Sequence, residues 1–235
     1  MDLQTITEKL DTAFKPFSVI LYGSRARTDF MPHSDYEIAV FFKREKLVPW
    51  AEIKKVVDEK GVNIYPYVYE DFLKANFDTP FQKNIYQREL VVAGKTISGE
   101  KVIEQMLPQP IKIIDALEDI RFHSGRALNA VLSHRHGDKI TAALTFAKVC
   151  LFATRDLIML QSGQFPTTYD DILTVSKKCD LDRYANVVEN AFEVRQRRRN
   201  IREADHIDNI TYINYFIEPQ LKDAYDKNKE LILVQ

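Results

Sequence analysis

Near residue 100 the apolar pattern of this chain changes period, and that change constrains the fold more than any other feature. Before it, short runs of β-favouring residues alternate with helical patterns. After it, only helical spacing continues. The reading is α+β: a small mixed β-sheet domain over residues 1–105, followed by an all-α helical bundle over residues 106–235. Residues 2–14 are expected as a helix, Ser18–Tyr22 as a buried strand and Asp35–Phe42 as a second strand. Pro49 opens a helix that runs to Lys60 before Gly61, and Val62–Tyr69 is a third strand whose Pro66 points to an edge or a bulge. The turn-like ISGE at 97–100 marks the boundary.

In the second half, Ile111–Ser133 is expected as a helix with Ile114, Leu117, Ile120 and Leu128 on its apolar side. Lys139–Ser162 carries two adjoining apolar stripes, one of Ile140, Leu144, Ala147, Leu151 and Ile158, and so belongs at the centre of the bundle, with Gly163 as its cap. Helices near 169–178 and 181–199 follow, then a last one from about 209 to 233, bent at Pro219.

Bulk properties narrow the function. The 33 basic and 34 acidic residues give a formal charge of -1, which argues against a general nucleic-acid coat and leaves room only for a local basic patch. Met1–Leu10 has no basic cap leading into an apolar core, and no apolar run approaches the roughly 20 residues that span a bilayer. Cys150 and Cys179 fall in helical stretches and are expected as buried thiols. The chain reads as cytoplasmic, with no membrane partner.

The chemistry sits in Tyr22–Val40, YGSRARTDFMPHSDYEIAV. A strand ends, Gly23-Ser24 opens a turn, and Asp35 begins another strand with Glu37 two positions on. Strand alternation sends Asp35 and Glu37 to one face and Tyr36 and Ile38 to the other. Two adjacent carboxylates repel unless a cation lies between them, and a hard divalent ion shared with substrate phosphates answers that need. Gly23 lets the backbone approach closely, Ser24 offers a hydroxyl, and Arg25 or Arg27 adds a guanidinium to a triphosphate. An acid-x-acid pair can equally be a solvated strand face. The strand–turn–strand context on both sides tells against that.

The segment GSRARTDFMPHSDYE resembles the minimal nucleotidyltransferases of the DNA polymerase beta superfamily, which carry Gly-Ser, a ten-residue gap and Asp-x-Asp. The resemblance implies a nucleotidyltransferase fold over the first domain and transfer of a nucleoside monophosphate from a nucleoside triphosphate, ATP first, to a hydroxyl. Mg²⁺ or Mn²⁺ would be held by Asp35 and Glu37, and the triphosphate by Gly23 and Ser24. Glu37 stands where the family has a second Asp, and Asn63 in Val62-Asn63-Ile64-Tyr65 stands where it has a third carboxylate. An amide cannot serve as the base. Either Glu70 or an acid of the helical domain completes the site, or the site binds nucleotide without turnover as a regulatory protein.

The run KVCLFATRDLIMLQSGQFP with the later RNIREADH is similar to the helical HEPN domains that accompany such transferases, and to the helical half of kanamycin nucleotidyltransferase. Some HEPN domains cleave RNA through an Arg, a polar residue and a His, and Arg199, Asn200 and His206 fit that spacing. The arginine-rich helix end can instead offset the helix dipole or contact the phosphates of a nucleotide or an RNA. His33, His123, His134 and His136 form no metal set, and His134 and His136 are read as lying in a polar loop. Tyr67, Tyr69, Phe72, Phe77 and Phe81 are expected as packing between the domains, or one of them as a platform for a base. The acceptor stays open between a small hydroxylated molecule, an aminoglycoside-like compound and a protein side chain, and the resemblance implies a homodimer.

Overall fold

The computed structural model describes residues 2–32, 34–79 and 81–235; His33 lies outside them. The chain divides into two compact units, Met1–Gln109 and Pro110–Gln235. Together they are α+β: a small mixed sheet followed by a helical region.

The first unit runs α1 (Leu3–Phe14), β1 (Ser18–Tyr22), α2 (Ser24–Arg27), β2 (Tyr36–Phe42), α3 (Trp50–Val56), β3 (Val62–Val68), α4 (Tyr69–Phe72), α5 (Lys83–Ala93) and β4 (Lys95–Gly99). Asp2 caps α1 by accepting from the Thr5 amide at 2.8 Å. The sheet order is β3-β2-β1-β4, with β1 antiparallel to both neighbours and β2 parallel to β3. A parallel pair needs a crossover, and α3 is that crossover. Pro66 lies on the edge strand, where a residue without an N–H is tolerated.

Strand alternation sorts the core into two layers. Val19, Leu21, Ile38, Val40 and Ile64 pack with Ile6 and Leu10 of α1 and Ile53 of α3. On the opposite face Ile20, Tyr22, Ala39, Phe41 and Tyr67 pack with Phe72, Phe77, Tyr86 and Leu90. The aromatic run after β3 therefore belongs to the first unit's own core, with Tyr69 and Phe81 partly buried against it, and the expectation of an interdomain layer is corrected.

The second unit comprises β5 (Ile111–Lys112), α6 (Ile113–Arg135), α7 (Lys139–Ser162), α8 (Tyr169–Ser176), α9 (Ala185–Arg195), α10 (Glu203–Tyr212), α11 (Glu218–Lys227) and β6 (Ile232–Val234). Helix α7 has the expected bounds, ends on Gly163 in the left-handed region at φ 69°, and packs against α6, α8 and α9. Its centre is fully buried at Phe146, Ala147, Cys150, Leu151, Leu157 and Ile158. Its first turn is not: Ile140 is 70% exposed.

Several expectations need correction. ISGE is no boundary turn, because Ile97–Gly99 are strand residues of β4. Strands do not stop at residue 110, since β5 pairs with β6 across the second unit. Helix α3 ends at Val56, well short of Lys60. Leu128 of α6 points to solvent, 53% exposed, while Ala116, Asp119, Ile120 and His123 take the inner face. The helix expected over 181–199 is a 3-10 turn at Asp182–Tyr184 followed by α9, which stops before Arg197 at φ 56°. The last helix begins at Glu203, opens into a π turn at Ile213–Ile217, and resumes as α11 with Pro219 in its first turn. The π turn has already broken the i→i−4 ladder there, so the missing proline N–H costs little.

Candidate active site

The end of β1 sets the geometry. Gly23 follows Tyr22 with φ 70° and ψ −160°, a conformation open essentially to glycine alone. Its carbonyl accepts from the amides of Ala26 and Arg27 at 3.1 and 3.2 Å, which turns the chain into α2. Ser24, the first residue of that turn, is 8% exposed. A β-carbon built on Gly23 would stand 1.9 Å from Oε2 of Glu37. The glutamate carboxylate is packed against the bend itself.

The register explains that approach. Tyr22 pairs with Glu37 across β1 and β2, and Glu37 pairs with Asn63 across β2 and β3. By alternation Glu37 shares its face with Ala39 and Phe41, whereas Tyr36 and Ile38 pack into the other layer. Asp35 immediately precedes β2 and its Oδ2 accepts from Asn63 Nδ2 at 3.3 Å. Its Oδ1 lies 3.4 Å from the position a β-carbon on Gly61 would take. Asp35 is exposed and Glu37 half-buried. Asp35, Glu37 and Asn63 are thus gathered at one end of the sheet, beside Gly23. A groove of about 540 Å³ runs along β3, lined in part by Trp50, Lys54, Gly61, Asn63 and Tyr65; it reaches this end through Asn63 and Gly61, while Gly23, Ser24, Asp35 and Glu37 lie outside its lining.

A tyrosine cluster floors the site, and the sequence reading missed it. Burial pushes the Tyr22 hydroxyl well up, and the Glu37 charge raises it further. The Tyr65 hydroxyl is raised by burial, then by Glu37 and Asp35. Tyr67 donates to Tyr86 at 3.0 Å. These hydroxyls stay protonated, so they serve as donors and never as bases. The signal was present in the β alternation 63, 65, 67, which continues from Asn63.

Other expected residues go elsewhere. Arg25 does not reach toward the carboxylates: its Nε donates to the Ser34 carbonyl at 2.8 Å and its guanidinium lies 4.1 Å over the Tyr36 ring. Tyr36 belongs to the opposite face of the sheet, so Arg25 is on the wrong side for the triphosphate role. Arg27 is buried and ion-paired with Glu89, and its Nε lies 3.4 Å from Asp29; its charge is spent on the scaffold. Glu70 cannot complete the acid set, because it follows Val68 at the other end of β3, and the five residues from Asn63 to Val68 span about 17 Å.

The Arg199, Asn200 and His206 grouping is also corrected. Arg199 Nη2 pairs with Asp205 at 2.7 Å, and Arg202 reaches the same carboxylate at 3.0 Å. His206 is 2% exposed, with its ring against His134 and Phe146. Asn200 is exposed. A histidine sealed under aromatic rings cannot move the proton of a 2′-hydroxyl. His134 and Arg135 lie in the last turn of α6, not in a loop, and His136 is its cap. His123 is buried beside Asp119 and Asp156, so it does belong to a group with metal-ligand character.

Residues 4–97 match the family model described as polymerase beta, nucleotidyltransferase. The first unit carries a nucleotidyltransferase domain of that kind. No curated protein matches the chain by sequence. Among solved structures, the spectinomycin adenyltransferase from Enterococcus faecialis, crystallised with ATP and spectinomycin, is similar in fold: the TM-score is 0.58 at 13% identity, over 94% of this chain and 100% of that one. The likeness extends beyond the nucleotidyltransferase domain into the helical unit. Nucleotidyl transfer is the general activity class that these similarities support.

Proposed function

We propose that the chain transfers a nucleoside monophosphate from ATP or a related triphosphate to a hydroxyl of a small-molecule acceptor. The observation that carries this reading is the packing of Glu37 against the Gly23 bend with Asp35 on the same face. An all-oxygen pair, one member exposed, suits a hard cation such as Mg²⁺ or Mn²⁺ that keeps water and shares phosphate oxygens. When bound, that ion would neutralise charge on the phosphates and lower the barrier to in-line displacement.

The chain's own groups divide the remaining work. Asp35 and Glu37 hold the cation, and Gly23 and the Ser24 hydroxyl line the phosphate side. Asn63 positions Asp35 through its amide hydrogen and leaves its amide oxygen as a neutral ligand. The Tyr22 and Tyr65 hydroxyls present neutral donors beside Glu37. The small-molecule acceptor is favoured over a protein side chain because the fold neighbour is named for spectinomycin. A homodimer and a cytoplasmic setting belong to the same proposal; both thiols are free, which suits a reducing compartment. Among the described residues no helix is long and apolar enough to cross a membrane.

Asn63 favours a second reading, in which the site binds nucleotide without turnover. Pyrophosphate release from ATP with Mg²⁺ across a panel of aminocyclitol and aminoglycoside acceptors separates the two. Release lost in Asp35→Asn supports transfer. Nucleotide binding with no release from folded protein supports the binding role.

A further inference from the structure

Away from the first unit, α6 and α7 bury a second cluster of ionisable side chains. Asp119 and His123 stand four residues apart on α6 and so share one face. Asp156 meets them from α7. Asp156 is 0% exposed, Asp119 3% and His123 5%. One ligand atom from each lies within 4.8 Å of the others.

Groups buried this deeply need partners. Among the described residues, both Asp156 oxygens, Oδ2 of Asp119 and both ring nitrogens of His123 lack a hydrogen bond of normal geometry. Asp119 Oδ2 stands 3.2 Å from His123 Nε2 and 3.9 Å from Arg155 Nη2. Arg155 itself is held between two rings, 4.7 Å over Phe152 and 4.9 Å over Phe165. Two carboxylates and an imidazole beside one guanidinium, in a site closed to water, call for a proton or a cation among them.

We propose that Asp119, His123 and Asp156 form a binding site for a divalent transition cation of the zinc type, which pins α6 to α7. One imidazole nitrogen with carboxylate oxygens is a donor set such ions accept. Neighbouring ligands about 2.0 Å from a tetrahedral ion lie roughly 3.3 Å apart, close to the 3.2 Å between His123 Nε2 and Asp119 Oδ2. Neither Asp156 oxygen holds a hydrogen bond of normal geometry, so a bidentate carboxylate would bring the donors to four atoms from three residues. Arg155 then becomes an outer partner that steadies Asp119. A strongly hydrated ion such as Mg²⁺ does not suit a dry site with a nitrogen donor, which separates this centre from the exposed acid pair of the first unit. A proton held between the two carboxylates is the competing way to fill the same space.

Metal analysis of the full-length protein, grown with zinc and passed through a desalting column, tests the site. About one zinc per chain is expected, together with a thermal midpoint that falls by several degrees on chelation and recovers on adding zinc chloride. The Asp35→Asn/Glu37→Gln variant must keep that zinc. The Asp119→Asn/Asp156→Asn variant, in which paired amides can hydrogen-bond in the same volume, must lose it. Should the double-amide variant not fold, cobalt substitution of the wild type decides: a visible ligand-field spectrum abolished by chelation supports the site. Wild-type protein without stoichiometric metal, with a midpoint unmoved by zinc, overturns the proposal in favour of the shared proton.

Discussion

Oε2 of Glu37 lies 1.9 Å from where a β-carbon on Gly23 would stand. That relationship ties the acid strand to the phosphate-side bend: the positive φ is what calls for glycine, and a β-carbon there would push the Glu37 carboxylate aside. Gly23→Ala should therefore displace Glu37 and strain the turn, destabilising the fold by about 1–3 kcal/mol. Nucleotide binding in the presence of Mg²⁺ should weaken at least about tenfold, which corresponds to 1.4 kcal/mol. Denaturant unfolding and calorimetry measure the two effects separately, and wild-type nucleotide affinity in a folded Gly23→Ala protein would contradict the assignment.

The two arginines after the bend should behave oppositely to a phosphate-binding pair. Arg25→Ala removes a cation–π contact with Tyr36, worth about 1 kcal/mol, and should leave nucleotide affinity within about twofold of wild type. Arg27→Ala removes the buried guanidinium that pairs with Glu89 and lies beside Asp29, and should cost about 3 kcal/mol of stability. Thermal unfolding checks both, and a large affinity loss in Arg25→Ala would restore it to the site.

Asn63 is the residue that most limits the chemistry. Asn63→Asp should add a third carboxylate opposite Glu37, raise the affinity for Mg²⁺ and increase turnover by at least about tenfold, within the range general-base groups supply. Without the cation, the same change loses the hydrogen bond to Asp35 and adds repulsion, so the variant should be less stable in chelator and gain stability on adding Mg²⁺. Turnover unchanged in Asn63→Asp with Mg²⁺ present would show that the third position is filled from elsewhere.

Acid should weaken the second unit through His206 and Asp205. Burial holds the imidazole of His206 below its usual 6.5, and His134 adds to the effect. The unfolded chain then takes up the proton more readily, so stability is full above pH 6.5 and declines as the pH falls below it. Burial alone would raise Asp205, but the hydrogen bonds from Arg202 and Arg199 outweigh it and lower the carboxyl. That contribution is present above 3.8, the ordinary Asp value, and is lost as the pH falls further, through the lowered value. His206→Gln should flatten the upper part of the profile and leave the lower part intact, as thermal midpoints from about pH 2 to about pH 8 will report.

Much of this architecture was legible because periodicity survives in sequence. The bounds of β1 and α7 follow from five β-favouring residues in a row and from an all-round apolar helix, and alternation alone put Asp35 and Glu37 on one face. What escaped is set by contacts between segments. Arg25 is drawn off by Tyr36, a partner that no spacing rule selects. Strands β5 and β6 are two and three residues long, too short to carry a period. The Asp119–His123 step was visible on one helix, but the arrival of Asp156 from α7 depends on how two helices cross, and linear spacing does not encode that directly.

The central claim is that the Asp35–Glu37 face beside Gly23 holds a metal–triphosphate complex. Calorimetric titration with a non-hydrolysable ATP analogue, with and without Mg²⁺, tests it most directly in the wild type and in Asp35→Asn/Glu37→Gln. The prediction is about one site per chain in the wild type, with affinity falling at least about tenfold when either the cation or the two carboxylates are removed. Equal binding in all of these conditions would contradict it.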